Sequence, residues 1–421
     1  MNRLPKSLIA LQHRNYRLLW FGLLISMSGS LMRNAAILWH ISLRVPDDQK
    51  ALALGLVGLV RVVPIIVFSF ISGVVADALD RRRLMLLTNS AMLLVSTTLA
   101  VATFNGLDAP WLIYLLAGLG AAIGSFDGPA RQSLFPNLVP REHLPNAISL
   151  NSIMFQMASV IGPAVGGLII GTAGVAWAYA ADAVSFLALL TTLLLMRDVP
   201  ARAAEARSEI SLRAWWEGLR FVFSAPLIRS TMLLDFFATF FASATALLPI
   251  FAQDILHVGA QGYGVLAAAP AAGAFLTSVA MVPLVERIQA RGRVLVASVA
   301  VYGLATVLFG FSTTFWLTYA CLFLTGAADM VSTVLRNIVR QLMTPDGMRG
   351  RMTSVNMVFF MGGPQLGELE AGLVAQAFGP AISVISGGLG CLLATGVIVW
   401  NTPHLLAYHK ETPLPAAQAA D

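Results

Sequence analysis

Twelve runs of predominantly apolar residues, each about 20 residues long or longer, follow one another along the chain. An α-helix needs about 20 such residues to cross the ~30 Å hydrocarbon core of a bilayer. The runs cover residues 18–43, 52–76, 84–104, 110–130, 146–170, 176–196, 228–252, 262–285, 293–313, 315–335, 353–377 and 380–400. They are too long for membrane strands and lack polar/apolar alternation. We therefore predict an all-α, multi-pass membrane protein with twelve transmembrane helices.

The composition excludes several classes of protein. Apolar residues make up 57% of the chain and charged residues 11%, whereas soluble domains are about 25% charged. A soluble enzyme, a disordered chain and a nucleic-acid-binding domain are therefore excluded, despite the net charge of +6. Cys321 and Cys391 lie inside apolar runs, so no disulfide framework or metal-ligand cluster is expected. Nucleotide-binding, zinc-protease and nucleophile-elbow motifs are absent from the sequence, so we predict no catalytic residue, cofactor or metal.

The basic residues fix the predicted orientation. With the N-terminus on the cytoplasmic side, 23 of the 27 Lys and Arg residues fall in cytoplasmic segments. Arg44 and Lys50 fall on the other side, and Arg33 and Arg61 lie within runs. The positive-inside rule therefore predicts that both termini are cytoplasmic, in the inner membrane. A basic face beside anionic membrane lipid accounts for the positive charge without a nucleic-acid partner.

A polar stretch in the middle of the chain divides the runs six and six. We predict an N-terminal half at 1–196, a linker at 197–227 with an amphipathic helix on the membrane surface, a C-terminal half at 228–403 and a cytoplasmic tail at 404–421. A weak repeat relates the halves: Arg131-Gln132 in the first corresponds to Arg340-Gln341 in the second, and in each half a Gly-Pro-x-x-Gly pattern follows. Two parallel six-helix halves are a recurrent transporter architecture.

The loop after the second run carries a distinctive pattern, GVVADALDRRR at residues 73–83. Glycine permits close helix contact, and an aspartate at a helix end can accept from backbone N–H groups. A plain charged turn would explain the arginines alone. The whole pattern, with Gly73 and Asp77, resembles the signature loop of the major facilitator superfamily. Asp80 stands where the general pattern has glycine, and Ala78 replaces its usual basic residue.

The fifth run contains Gly162-Pro163-Ala-Val-Gly166-Gly167. Proline removes one backbone hydrogen bond and the glycines let another helix approach, which favours a kinked, tightly packed contact. Close helix packing is the simpler interpretation. The pattern is also similar to the one associated with antiporters of the same superfamily, with Ala158 where that pattern starts with glycine.

Two further stretches, at residues 126–140 and 344–351, closely resemble the branch of this superfamily that contains the enterobactin exporter and macrolide efflux permeases. The resemblance extends from Tyr16 to the twelfth run. Asp127 and Arg131 are four residues apart and can pair on one helix face, which an ordinary interfacial ion pair would also explain. The resemblance implies a cytoplasmic gate formed by Gly73, Asp77, Arg81, Arg82, Asp127, Arg131, Arg349 and Arg351.

Ionisable residues inside the membrane are functional candidates, since each costs ~2.5–3.5 kcal/mol at the bilayer centre. They are Arg33, Arg61, Asp182, Asp235, Asp329, Glu368 and Glu370. We expect Arg33 and Arg61, as the only cations at depth, to bind an anionic group of the substrate. Asp235 or Glu368 is expected to carry a proton, and pairing of an arginine with one of these acids is the alternative. Asp182 is interpreted as packing polarity.

Phenylalanines at 236, 237, 240, 241, 359 and 360 could line a cavity for an aromatic ligand, although packing explains most of them. The resemblance implies a monomeric secondary active exporter that works by alternating access. Its partners would be a small-molecule substrate, protons as the coupling ion, and membrane lipid. A siderophore or a lipophilic drug-like compound fits as substrate, and macrolide or multidrug efflux is the alternative. A non-transporting sensor or scaffold with the same fold is the competing class.

Overall fold

The computed structural model describes residues 6–197, 212–345 and 348–410, except for the side chains at 6–7, 69–71, 73–74, 76–78, 212–215, 244 and 354. The described residues contain helices and no strand. The helices are α1 (Arg14–Arg44), α2 (Lys50–Ala78), α3 (Arg81–Phe104), α4 (Pro110–Leu134), α5 (Leu144–Ala173), α6 (Val175–Leu195), α7 (Leu212–Ser224), α8 (Pro226–Phe241), α9 (Leu248–Ile250), α10 (Gly259–Leu284), α11 (Arg291–Gly310), α12 (Phe315–Met343), α13 (Arg349–Phe378) and α14 (Pro380–Asn401).

The predicted all-α membrane fold is confirmed. Eleven helical segments of the described residues are long and apolar enough to span a membrane. The remaining predicted span, the eleventh run, is α13, a 30-residue helix whose apolar character is diluted by two arginines and two glutamates. The seventh predicted span departs from a single helix: α8 ends at Phe241, and short helical turns continue to Ile255 through α9. Pro249 in this stretch cannot donate a helical hydrogen bond.

The helices begin and end where local chemistry favours it. The Asp80 carboxylate accepts a hydrogen bond from the Arg83 backbone N–H at 2.8 Å and so caps the start of α3, as N-cap residues do. Gly174 joins α5 to α6 with a φ of 98°, and Gly379 joins α13 to α14 with a φ of 91°. Only glycine adopts this left-handed conformation readily. The same tight helix-to-helix turn therefore recurs at corresponding places in the two halves.

The chain forms two compact units. Unit 1 comprises residues 1–47, 60–208 and 257–268, and unit 2 comprises 48–59, 209–256 and 269–421. In unit 1, α1 packs on α5 and α6, and α3 packs on α4 and α6. In unit 2, α11 packs on α12 and α14, and α8 packs on α13. The units differ from the predicted halves by two exchanged segments, and the predicted domain boundaries stay a prediction.

The chain after α14 folds back onto the α10–α11 loop of unit 2. The Gly292 N–H donates to the Tyr408 carbonyl at 3.0 Å, and the Lys410 N–H donates to the Gln289 carbonyl at 2.9 Å. The Lys410 ammonium lies 2.6 Å from the Glu286 carboxylate, and this hydrogen bond and charge lower the pKa of that exposed carboxyl group. A Cβ at Gly292 would lie 1.7 Å from the Leu405 carbonyl oxygen. This C-terminal strap, residues 403–410, is therefore tightly seated.

Candidate functional site: buried charges in the two units

Unit 1 holds a closed ion pair inside its helices. Arg33 Nη1 on α1 lies 3.1 Å from Asp182 Oδ2 on α6. Ser96 on α3 joins them: its Oγ accepts from Arg33 Nη1 at 3.0 Å and donates to Asp182 Oδ2 at 2.6 Å. The Asp182 side chain is fully buried, and the guanidinium lies 5.8 Å from the centre of the Phe186 ring. Charge and hydrogen bonds are matched within the unit.

This pair corrects two predictions from the sequence. Asp182 is the direct counter-ion of Arg33 and not simply packing polarity. Neither acid proposed as the partner of Arg33 fills that role, because Asp182 occupies it. Arg61 has a different environment, since it is half-buried and its Nη2 donates to Asn34 Oδ1 at 3.4 Å. Its assignment as an anion-binding residue stays a prediction.

Unit 2 holds a larger group of charges, which we name the Arg336 cluster: Asp235 on α8 with Asp329, Arg336 and Arg340 on α12. Arg336 Nη2 lies 2.9 Å from Asp235 Oδ1 and 3.2 Å from Asp329 Oδ1. Arg340 Nη1 lies 3.9 Å from Asp235 Oδ2. Two carboxylates and two guanidiniums balance, so the cluster is electrically neutral when all four groups are ionised.

The hydrogen bonds of Arg336 are unevenly distributed. Nη2 contacts both carboxylates and also donates to Thr333 Oγ1 at 2.9 Å. Nε and Nη1 have no hydrogen-bond partner among the described residues, although the residue is 1% exposed. Buried donors are normally satisfied. Among the described residues, Nη2 therefore makes the polar contacts of this guanidinium, and Nε and Nη1 form no hydrogen bond.

Arg336 and Arg340 lie in a helix, and not in a cytoplasmic loop as predicted. The sequence placed both in a cytoplasmic segment after residue 335, but α12 continues to Met343 and both side chains are buried. Burial is possible because Asp235 supplies opposite charge. Arg340 also donates to Asn356 and Asn337. Arg33 and Arg61 are therefore not the only cations at depth.

Glu368, the second predicted proton carrier, lies on α13. It is 8% exposed, and its Cβ would be 2.8 Å from a Cβ added at Gly58. That close approach places the first turns of α2, which belong to unit 2, directly against α13. The assignment of Glu368 as a proton carrier stays a prediction.

The arginines of the predicted gate loop act at helix ends. Arg81 Nη1 donates to the Ser133 carbonyl at 2.6 Å, near the end of α4. Arg82 donates to the Leu193 and Leu194 carbonyls at 2.8 and 3.1 Å, at the end of α6. The last carbonyls of a helix lack internal partners and carry partial negative charge, so cations are stabilising there. The first residues of α3 thus bind the ends of two other helices of unit 1.

Asp127 and Arg131 have separate partners. Asp127 Oδ1 accepts from Asn89 Nδ2 at 2.8 Å and from Thr88 Oγ1 at 3.0 Å. Arg131 Nη1 lies 2.9 Å from the Met27 sulfur. The predicted pairing of Asp127 with Arg131 is absent from the ion pairs of the described side chains. Asp127 instead joins α4 to α3.

Four other gate residues have varied surroundings. Gly73 and Asp77 lie in α2, but their side-chain positions fall outside the described residues. Arg349 begins α13. Arg351 Nη1 lies 2.8 Å from Glu217 Oε2 on α7, the helix that fills the predicted amphipathic segment. The gate assignment of all eight residues stays a prediction.

The glycine motif in α5 is a packing surface. A Cβ at Gly162 would lie 2.6 Å from the Ser28 carbonyl oxygen, and one at Gly166 would lie 2.9 Å from Met32 Cγ, both on α1. A Cβ at Gly167 would lie 2.5 Å from the Gly264 Cα. Pro163 sits within the same helix. Larger side chains would separate these backbones.

The phenylalanines of α8 and α13 pack largely on one another. The rings of Phe236 and Phe240 stack at 5.7 Å, and Phe236 meets Phe359 edge-on at 5.7 Å. Phe241 lies against α14, where a Cβ at Gly390 would be 2.9 Å from its ring. Phe360 is 53% exposed. Packing therefore accounts for most of the set.

Sequence reasoning did not identify a second polar network in unit 1. His40 Nε2 and Arg44 Nη2 lie 2.8 and 2.5 Å from Asp108 Oδ2, and His40 Nδ1 lies 3.2 Å from the Tyr179 hydroxyl. Burial alone would raise the pKa of Asp108, but hydrogen bonds from Arg44 and His40 hold it below the ordinary value. The four-residue spacing of His40 and Arg44 on α1 is the signal that could have found it.

Long apolar helices in two internally packed units, each with buried ion pairs, define a multi-pass membrane protein. The family model described as "Transmembrane secretion effector" matches residues 6–415. The chain therefore belongs to this family of the major facilitator superfamily. Such proteins move small molecules and are not enzymes.

Individual relatives agree with the family. The chain is 27% identical over 383 residues to the enterobactin exporter EntS of Escherichia coli O1:K1, covering 91% of this chain and 88% of the relative. The exporter EntS of Escherichia coli K12 gives the same identity and coverage.

Solved structures show the same fold. A bacterial homologue of the human lysosomal transporter Spinster superposes with a TM-score of 0.69 at 14% identity, over 96% of this chain and 97% of that one. A bacterial homologue of the iron transporter ferroportin superposes with a TM-score of 0.69 at 16% identity, over 94% and 99%. At these identities the likeness extends to the fold alone.

Proposed function

We propose that this transporter exports a small molecule across the cytoplasmic membrane by alternating access, in exchange for protons. In this proposal it is a monomer with both termini cytoplasmic and the gate loop on the cytoplasmic face. The observation that carries the proposal is the Arg336 cluster: four ionisable groups on helices long and apolar enough to span a membrane. Two buried nitrogens of Arg336 have no hydrogen-bond partner among the described residues. Charges inside a membrane are expensive and mark ion or substrate pathways. The EntS relatives are enterobactin exporters, which supports the outward direction.

Protons are proposed as the energy source because the sequence offers no nucleotide-binding motif. Inward proton movement would drive the two halves between inward- and outward-open states. Arg81 and Arg82, which donate to carbonyls at the ends of α4 and α6, would keep the gate loop attached to these helices during that change. Asp127 would keep α4 attached to α3.

The proposed substrate carries negative charge and aromatic character, as a catecholate siderophore does. The proposed anion-binding group is the guanidinium of Arg61, which is half-buried and donates to Asn34 Oδ1 at 3.4 Å. Burying a substrate anion without a partner would cost several kcal/mol. Macrolide or multidrug efflux is the second candidate. The exposed ring of Phe360 favours it, since that ring offers an uncharged ligand an apolar contact.

Export is tested in inverted membrane vesicles that contain the full chain. We expect uptake of a labelled catecholate siderophore to depend on a proton gradient and to collapse with a protonophore at constant ATP. A macrolide is the comparison compound. Uptake that survives the protonophore but requires sodium would contradict proton coupling, and uptake of neither compound would contradict export of these classes.

The substrate class is tested with Arg61→Gln, with Arg61→Lys as the matched control. Gln removes the charge and should weaken uptake of the anionic compound more than that of the neutral one, whereas Lys retains much of the anionic uptake. Equal loss for both compounds would contradict anion recognition by Arg61.

A further inference from the structure

The carboxylate of the Arg336 cluster that is best placed for proton exchange is Asp329, which sequence reasoning did not select. A cavity of about 140 Å³ within unit 2 lies beside it and is lined in part by Thr245, Tyr302, Thr306, Thr325 and Asp329. Such a volume admits several water molecules, and the hydroxyls offer them hydrogen-bond partners. The side chain of Asp329 is 44% exposed, whereas that of Asp235 is 4% exposed.

The two carboxylates also differ in the positive charge that surrounds them. Asp235 lies between Arg336 at 2.9 Å and Arg340 at 3.9 Å, whereas Arg336, at 3.2 Å, is the one cation paired with Asp329 among the described residues. Nearby cations favour the ionised form of a carboxyl group. Protonation therefore removes less favourable interaction at Asp329 than at Asp235.

The other elements packed around Asp329 add no further cation. Among the described residues, α8 contributes Asp235, α11 contributes the neutral hydroxyl of Tyr302, and α10 contributes Pro270 to the cavity wall. Arg336 and Arg340 are the cations of α12 that face the two acids. Charge at this point of unit 2 is thus set by four groups.

We propose that Asp329 is the proton-binding site of unit 2. When Asp329 is protonated, Arg336 shifts its contacts from Asp329 to Asp235. A hydronium ion in the cavity gives its proton to a carboxylate oxygen of Asp329: one O–H bond forms, one breaks, and water remains. Neutral Asp329 then no longer holds Arg336. Nη2 of Arg336, released from Asp329, and one adjacent nitrogen, Nε or Nη1, then bind the two carboxylate oxygens of Asp235. This replaces a single contact by a forked one, which is the stronger geometry for this pair. This inference rests on the proposed proton coupling and assigns it a residue.

The site is tested without any substrate, by infrared difference spectroscopy of the purified full chain between about pH 8 and about pH 5. Protonation of a carboxylate produces the carbonyl stretch of a carboxylic acid. We expect one such band in the wild type, its loss in Asp329→Asn, and its retention in Glu368→Gln. A wild type without the band, or a band that survives Asp329→Asn, would overturn the proposal, as would its loss in Glu368→Gln alone.

If Asp329→Asn does not fold, Thr325→Val replaces it. This variant keeps every charge but removes a hydroxyl from the cavity wall, and we expect the midpoint of the band to move. An unmoved midpoint would overturn the assignment. The measurement separates this inference from the proposed function: band loss in Asp329→Asn with no export in vesicles supports the site and contradicts export. Proton-driven export by the wild type, with a band that is unchanged in Asp329→Asn, supports export and contradicts the site.

Discussion

Arg33 in unit 1 and Arg336 in unit 2 are both buried arginines paired with aspartates, yet they are satisfied in opposite ways. Arg33 has one counter-ion, and a serine hydroxyl bridges the two groups. Arg336 contacts two carboxylates through one nitrogen, and its other two nitrogens have no hydrogen-bond partner in the part of the chain that the structure describes. A fully matched pair has no unused donor with which to form another contact. A partly matched arginine has such donors when one of its carboxylates is neutralised, so the same residue types form a fixed support in one unit and a movable contact in the other.

The largest expected effect breaks the support. Asp182→Asn leaves the Arg33 charge buried without a counter-ion, which costs about 3–5 kcal/mol in comparable buried pairs. We expect a strongly lowered melting temperature in detergent and little folded protein. Replacing both partners, as Arg33→Met with Asp182→Leu, should recover much of the stability because no charge is left unpaired. A stable Asp182→Asn single variant would remove the distinction between the two arginines.

The bridging hydroxyl comes next. Ser96→Ala removes the group that accepts from Arg33 and donates to Asp182 inside unit 1. Loss of a buried hydrogen bond to charged groups costs about 1.5–3 kcal/mol. The matched variant is Thr333→Ala, which removes the hydroxyl next to Arg336. We expect it to change the melting temperature less, since the guanidinium already has idle donors. Equal shifts would show that the two arginines are held equally.

A smaller change in stability is expected at the movable contact itself. Asp329 is 44% exposed, and exposed ion pairs contribute about 0–1 kcal/mol. Asp329→Asn should therefore leave thermal unfolding nearly unchanged, because Arg336 keeps Asp235. A destabilisation as large as that of Asp182→Asn would show that the Arg336 cluster is also a rigid support.

The smallest effect concerns pH and lies outside the membrane. His13 Nε2 and His143 Nδ1 are 2.8 Å apart in unit 1. Burial, and secondly the charge of His143, lower the pKa of His13 below its ordinary value of 6.5. The unfolded chain therefore takes up this proton first as the pH falls. The contribution to stability is full above about pH 6.5 and is lost as the pH drops through the folded pKa.

His13→Asn should accordingly flatten the loss of melting temperature between about pH 7.5 and about pH 5. His404→Asn is the control, because His404 is exposed. An unchanged slope in His13→Asn, or the same flattening in both variants, would contradict this account. Unit 2 has no such histidine pair among its described residues, so the effect belongs to unit 1.

The apolar runs were enough to predict the all-α membrane fold. Bilayer thickness sets the length of a spanning helix, and the positions of the runs in the sequence give the order of the helices. Most predicted ends lie within a few residues of the observed ones. Partnerships between helices were less accessible, since helix rotation is not encoded in hydropathy. Asp182 was dismissed although its partner Arg33 was singled out. The end of α12 was placed too early because Arg336 looked like a loop charge, although its seven-residue spacing from Asp329 puts the two on one helix face.

The C-terminal strap has a consequence for the order in which the protein is made. Residues 403–410 leave the ribosome more than 100 residues after the α10–α11 loop, yet they complete that loop. Until then, Gly292 lacks the neighbouring backbone that fits against it. Folding of the α10–α11 region is therefore completed only after residues 403–410 have been synthesised. A fusion partner attached after Lys410 preserves that step, whereas one that replaces the chain from Pro403 onward removes it.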